Sequence, residues 1–277
     1  INGQEQTNSL FVRIVQAGNP NLKPATSKNL NLGFKWDIND SSNILLDYWK
    51  INYKDRLELE DPQAKILSNP NSPDITRNDF GDLIAVKTTF FNEEKTIVKG
   101  IDFSINYLKM INKIEIDFGI NTTYLLEFLT PEHTSEEQGH EGEHEEHLID
   151  RVGKFNYNAH THSLPKLRLN AFLGVTNDSI RYGLNARYLD GYDNLRPLPD
   201  SALSNGYKNN IDSFLVFDLG ITKTIEMKKK IFKIGLNLIN ILDESAPLLY
   251  DSPDFSFDTR LHDPRGRLIN LTFDYDF

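Results

Sequence analysis

The chain has 277 residues, a formal net charge of −10 and no cysteine. The acidity argues against a nucleic-acid face, which would be basic, and the missing thiols exclude a disulfide framework and a thiolate metal site. Hydrophobic residues are 39%, with 17 Phe and 11 Tyr against 2 Met, a mix that suits strands more than helices.

No apolar run approaches the ~18 residues of a transmembrane helix. The N-terminus carries no recognisable leader: Ile1–Gln6 is polar and Leu10–Val15 is too short for a signal-peptide apolar region. The expectation is a protein that is not exported, a mature form or a fragment.

In chain order, the first two-faced segment is Asn29–Ile38. Leu30, Leu32, Phe34, Trp36 and Ile38 alternate with Asn29, Asn31, Lys35 and Asp37. A period of two places these sets on opposite faces of a strand. Ile44–Tyr53 follows and is less regular, with Leu46, Tyr48, Trp49 and Ile51 on both faces; both tryptophans read as interface anchors or lipid-facing residues. Alternation returns in Ile97–Tyr107, Lys113–Tyr124, Lys166–Val175 and Ser179–Tyr188. It is weaker in Leu215–Ile225 and Ile231–Leu242, and clean again in Ile269–Phe277.

These are about nine strands of roughly 10–13 residues, long enough to span a bilayer at a tilt. Soluble strands average only ~5–6 residues. The polar face carries Arg168, Arg181, Arg187, Asp218 and Lys233. A wet lumen accepts such charges, hydrated or paired across the interior; a dry core does not. The predicted fold is all-β: an antiparallel transmembrane β-barrel.

The connections alternate. Asn39–Asn43, Lys109–Asn112, Thr176–Asp178 and Glu226–Lys229 are short; Lys54–Thr96, Glu127–Pro165, Gly191–Asp212 and Asp243–Pro264 are long. Outer-membrane barrels have short periplasmic turns and long extracellular loops. On that rule Phe277 ends in the periplasm and Ile1–Lys28 lies outside. A complete bacterial barrel has an even strand number, so about nine strands imply part of a barrel, or a count one off.

Five segments then resemble one family. Asn19–Phe34 (NPNLKPATSKNLNLGF) is similar to a conserved barrel segment of TonB-dependent outer-membrane receptors, with Ala25 in place of the usual Glu. Leu46–Tyr53 (LDYWKINY) and Val98–Tyr107 (VKGIDFSINY) resemble later strands. Asn237–Glu244 (NLINILDE) resembles the family's N-L-F-D box, and Asp263–Phe277 (DPRGRLINLTFDYDF) its closing strand. The resemblance implies that residues 1–277 are the C-terminal part of a barrel of about 22 strands closed by an N-terminal plug. It implies TonB-driven import of a scarce ligand such as a ferric siderophore or metal ion through a plug not seen in this chain. It also implies a Gram-negative outer membrane with lipid and lipopolysaccharide around the barrel, and no enzyme activity or cofactor. A soluble all-β binding or adhesion module and a passive porin remain alternatives.

Two loops carry candidate residues. His140-Glu141-Gly142-Glu143-His144 spells the H-E-x-x-H zinc-protease signature. That chemistry needs a stable helix with both His on one face; Gly139, Gly142 and the run of Glu deny it one, so a zinc hydrolase is the weaker reading. Glu127–Pro165 nevertheless holds six of the seven histidines, and Glu127–Asp150 has nine acids without a Lys or Arg. His133, His140, His144 and His147 are candidate ligands for zinc, copper or nickel, against the plain alternative of a solvated acidic loop. In Gly191–Asp212, Tyr192, Arg196 and Tyr207 are candidate ligand contacts, aromatic and Arg side chains being common anchors; the plain alternative is a surface loop. Asp263-Pro264-Arg265-Gly266 reads as a turn into the last strand.

Overall fold

A computed structural model describes residues 12–131, 148–156, 162–195, 198–227, 230–250 and 255–276. Nine long strands run through these residues: β1 Thr26–Asn39, β2 Ser42–Leu59, β3 Leu83–Ile111, β4 Ile114–Pro131, β5 Leu167–Asn177, β6 Ile180–Leu189, β7 Phe214–Met227, β8 Lys230–Ile239 and β9 Leu268–Asp276. Each pairs antiparallel with the next, so sheet order follows chain order and β1 and β9 form the two edges. The sheet is an open, partial barrel wall.

Register keeps side-chain parity across the wall. One row reads Ile116, Val175, Tyr182, Ile221, Leu236 and Leu271 from β4 to β9. The next row reads Asp117, Gly174, Gly183, Gly220, Asn237 and Asn270. A shift of one residue would exchange the two faces on a strand. The apolar row is largely exposed, with Leu271 at 56%. Such a continuous apolar face needs a non-aqueous neighbour, and a bilayer supplies one.

The expected strands are present, with three differences. Lys54–Thr96 is not one loop: β2 continues to Leu59 and β3 begins at Leu83. A helix, Pro62–Ser68, and a short strand, Ile75–Arg77, fill the interval. These strand ends lie beyond the two-faced belt, so alternation is not required of them and the period-two signal is lost. Trp49 is not lipid-facing: it shares the polar face, opposite Gly100, where a Cβ would run into its ring. Trp36 does lie on the apolar, exposed face. β8 stops at Ile239 because Asn240 turns the chain with φ 53°.

The short connections are tight. Two residues, Asn112 and Lys113, join β3 to β4, and two, Asp178 and Ser179, join β5 to β6. Asn112 and Asp178 have φ of 57° and 52°, in the left-handed region that Asn and Asp tolerate best among residues with a Cβ. The short turns all lie at one end of the wall and the long connections at the other. At the long-loop end β3 is flanked by Ile75–Arg77, antiparallel, and by Arg13–Ala17, parallel.

Candidate functional site

The polar face and the long-loop end hold the groups able to meet a ligand. On the polar face, Arg181 reaches across β5 to Asp117 and donates to both carboxylate oxygens at 2.7 Å. Gly174 lies beneath this bridge; a Cβ there would meet both partners. The Phe172 ring lies over Gly119 in the same way. Arg187 pairs with Asp218 at 3.2 Å, and Thr123 donates to Asp102 at 2.7 Å. Arg181, Arg187 and Asp218 thus pair across the interior, as expected of lumen charges.

Two open clefts mark this face. One of about 860 Å³ lies toward the short-turn end, lined by Asp37, Asp40, Asn106, Glu115, Asp117 and Arg181 among others. The second, about 500 Å³, includes Gly183 and Gly220 with Asn185, Asp218, Asn237 and Asn270. The glycine row keeps that wall low, and the Asn side chains offer donors and acceptors.

At the long-loop end a small packed core ties three connections together. Tyr192, Ile211 and Leu249 are at most 2% exposed, and Phe155 and Leu261 pack against them. Tyr192–Asp193 pairs with Asn210–Ile211, which closes the base of the loop. His262 stacks on Tyr192 with centroids 6.4 Å apart and meets Phe214 edge-on at 4.9 Å. Neither ring nitrogen of His262 has a hydrogen-bond partner. Burial pushes its pKa below the usual value, while the nearby Asp258 pulls the other way. Asp258 is itself buried and accepts from Ser163 Oγ at 2.5 Å and from the Arg260 N–H at 2.9 Å. Burial also raises the Tyr192 hydroxyl.

Tyr192 is therefore part of the loop packing. Tyr207 is half-buried, edge-on to Tyr250 with centroids 5.6 Å apart. Arg196, His133, His140, His144 and His147 lie outside the described residues. No group of three or more metal-ligating side chains occurs among the described residues.

Two motifs singled out in the sequence prove to be ties between strands. Asn240 donates its N–H to Asp218 at 2.9 Å, and its amide exchanges hydrogen bonds with the Glu244 backbone. Asp243 accepts the Arg267 N–H at 2.8 Å. Arg265 clamps Asp263 in the turn before β9 and holds its pKa down to about 2. The sequence signal for the first tie was Asn and Asp at positions needing positive φ, 53° at Asn240 and 59° at Asp243.

Above the β2–β3 pair a compact module forms. Asp61 caps the helix Pro62–Ser68 by accepting from the Ala64 N–H at 2.6 Å. Lys65 bridges Glu60 and Asp74, each at 2.7 Å. Asn78 ties the hairpin tip to Asp82 and holds Phe80 out, 85% exposed.

The sequence model of the family described as TonB dependent receptor-like, beta-barrel, matches residues 3–241. The chain belongs to that family. Its sheet is thus part of a TonB-dependent receptor barrel in an outer membrane, with the apolar face toward lipid and the polar face toward the lumen. Members of this family are receptors and transporters, not enzymes. Solved structures share the fold. The ferric enterobactin receptor PfeA of Pseudomonas aeruginosa (G324V mutant) has TM-score 0.57 and 17% identity, over 93% of this chain and 32% of that one. The siderophore receptor PirA of Acinetobacter baumannii gives 0.56 and 15%, over 95% and 33%. The outer membrane transporter YddB of Escherichia coli gives 0.55 and 12%, over 96% and 34%. The chain spans about a third of the length of each. No curated protein sequence matches it.

Proposed function

We propose that this TonB-dependent receptor segment serves active import of a scarce ligand, most simply a ferric siderophore or another metal complex. Long loops outside the cell capture the ligand, and it then passes along the polar face when TonB, acting through a plug domain, opens the lumen. In this reading residues 1–277 are the C-terminal wall of the barrel, the C-terminus is periplasmic, and the plug and the first strands belong to other parts of the protein. The observation that carries it is the continuous polar face of β4–β9, with its paired charges and open clefts, in a wall whose other face is apolar. Two structural neighbours, a ferric enterobactin receptor and a siderophore receptor, support the ligand class.

The deciding experiment is uptake of radiolabelled ferric siderophores by cells with the intact gene, without it, and without TonB. Uptake that needs both supports the reading. Uptake that persists without TonB points to a passive porin, and a chain that folds in buffer without detergent points to a soluble module.

His133, His140, His144 and His147 supply the metal-collecting part of the proposal, with Arg196 and Tyr207 as ligand contacts; Tyr192, buried in the loop core, is not one of them. Calorimetric titration of zinc, copper and nickel into a Glu127–Pro165 peptide tests the first group. Affinity no better than that of polyglutamate removes it.

A further inference from the structure

Five lysines gather on the lipid-facing side of β1–β3, directly beyond the apolar belt at the long-loop end. Leu32, Tyr48, Ile101 and Tyr124 form the last apolar row. The next row of the same face reads Leu30, Lys50, Lys99 and Glu127; the one beyond it Lys28, Asn52, Ile97 and Leu129; then Thr26, Lys54 and Lys95. Lys50 thus faces Lys99 directly across the β2–β3 pair, and Lys54 faces Lys95. Strand geometry places all five within a patch of roughly 13 by 10 Å.

Like charges set opposite one another in a sheet are destabilising. One acid, Glu127, stands in these rows, and it pairs with Lys99 at 2.6 Å. Lys28, Lys50 and Lys54 have no carboxylate partner among the described residues, and Lys28, Lys54 and Lys95 are exposed. This arrangement occurs in a chain of net charge −10, so it is not a by-product of general basicity. Its position also restricts what it can meet. Side chains on this face, one to three rows above the lipid-facing belt, stand from headgroup level outward, where basic residues attract anionic lipid.

We propose that Lys28, Lys50, Lys54, Lys95 and Lys99 form a seat for the phosphate groups of lipopolysaccharide in the outer leaflet. The proposal rests on the long loops facing outside. Facing lysines draw phosphates onto the outer face of the β2–β3 pair, and the acyl chains run down the belt below Leu32, Tyr48 and Ile101.

The test uses the full-length receptor in detergent and three probes: phosphorylated lipopolysaccharide, the same lipid after dephosphorylation, and phosphatidylglycerol. Lys28→Gln/Lys50→Gln/Lys54→Gln/Lys95→Gln removes the seat. Lys109→Gln/Lys113→Gln/Lys223→Gln removes lysines near the short turns and serves as control. Wild type and control are expected to retain phosphorylated lipopolysaccharide; the seat variant should bind it roughly ten-fold or more weakly. Raising salt should weaken wild-type binding. Equal binding by the seat variant, equal binding of the dephosphorylated lipid, or phosphatidylglycerol binding as tight as lipopolysaccharide would each overturn the proposal. The same four positions changed to Arg should keep binding, and the milder Lys50→Gln/Lys54→Gln pair covers failure of the fourfold variant to fold. Ligand uptake by the same cells is a separate readout: its loss with lipid binding intact speaks against import, not against the seat.

Discussion

At the scale of single residues, His262 is the most constrained titratable group of the loop core. It is buried between Tyr192 and Phe214 with no hydrogen-bond partner. Burial depresses its folded pKa below the ordinary 6.5, and Asp258 only partly offsets this. An unfolded loop therefore takes up a proton before the folded one does. The packing energy is fully present above about pH 6.5 and is lost as pH falls from there through the folded pKa. Amide hydrogen exchange around Tyr192, Ile211 and Leu249 should accelerate between pH 7.5 and pH 5, beyond the intrinsic change in exchange chemistry. His262→Phe should flatten that dependence, because it fills the space without a proton site. Equal pH dependence in both proteins would show that His262 is not the titrating group. Tyr192 reads in sequence as a candidate ligand contact, but whether its ring points into a loop core depends on pairings such as Tyr192–Ile211. Those are long-range and leave no local signature.

At the scale of elements, the strands were legible wherever one face must meet lipid. Ile269, Leu271, Phe273 and Tyr275 alternate with Asn270, Thr272 and Asp274 because β9 has an apolar neighbour on one side and a wet one on the other. Substitution should respect this division. Leu271→Arg should cost roughly 2–4 kcal/mol of folding into a bilayer if it lies near the midplane, while Thr272→Arg on the lumen side should cost far less. Heat-modifiable mobility of the full receptor refolded into vesicles measures both. Equal penalties would mean that the faces are wrongly assigned. Past the belt the requirement disappears, and so did the signal. Leu83–Thr96 is strand but has no obligatory apolar face, so it read as loop. Trp49 misled for a related reason: its bulk suggested lipid, whereas the missing side chain of Gly100 opposite makes room for it on the polar face.

The module above β2–β3 carries its own prediction. Lys65 holds both Glu60 and Asp74, and Glu60 also accepts from the Thr89 N–H at 2.8 Å. Burial alone would raise Glu60 and lower Lys65, but the hydrogen bonds among the three groups outweigh it. Asp74 is lowered chiefly by its bond to Lys65. With both carboxylates depressed, this contribution is present above their unfolded values, 4.5 and 3.8, and is lost as pH falls below them. Lys65→Met leaves two half-buried carboxylates facing each other. It should destabilise the helix Pro62–Ser68 against β3 by about 1–3 kcal/mol, read as faster exchange of the Thr89 amide and of the helix. Unchanged protection would remove Lys65 as the tie.

At the scale of the whole molecule, the alternation of short and long connections makes a prediction about sides. Every turn at one end is tight and every connection at the other is long, and the proposed orientation puts the tight end in the periplasm. The chain has no cysteine, so single cysteines introduced into it report without interference from this segment. Asp79→Cys and Ser204→Cys sit in exposed parts of two different long connections. Lys113→Cys and Ser179→Cys sit in short turns. A membrane-impermeant maleimide should label the first pair on intact cells, and the second pair only after the outer membrane is opened. The reverse pattern would invert the barrel. It would also move the lysine seat to the inner leaflet and deny the long loops any role in capture. Labelling of all four on intact cells would place the chain outside the bilayer, and the apolar row from Ile116 to Leu271 would then need another partner. The four positions thus test, in one measurement, the step on which both import and lipid binding depend.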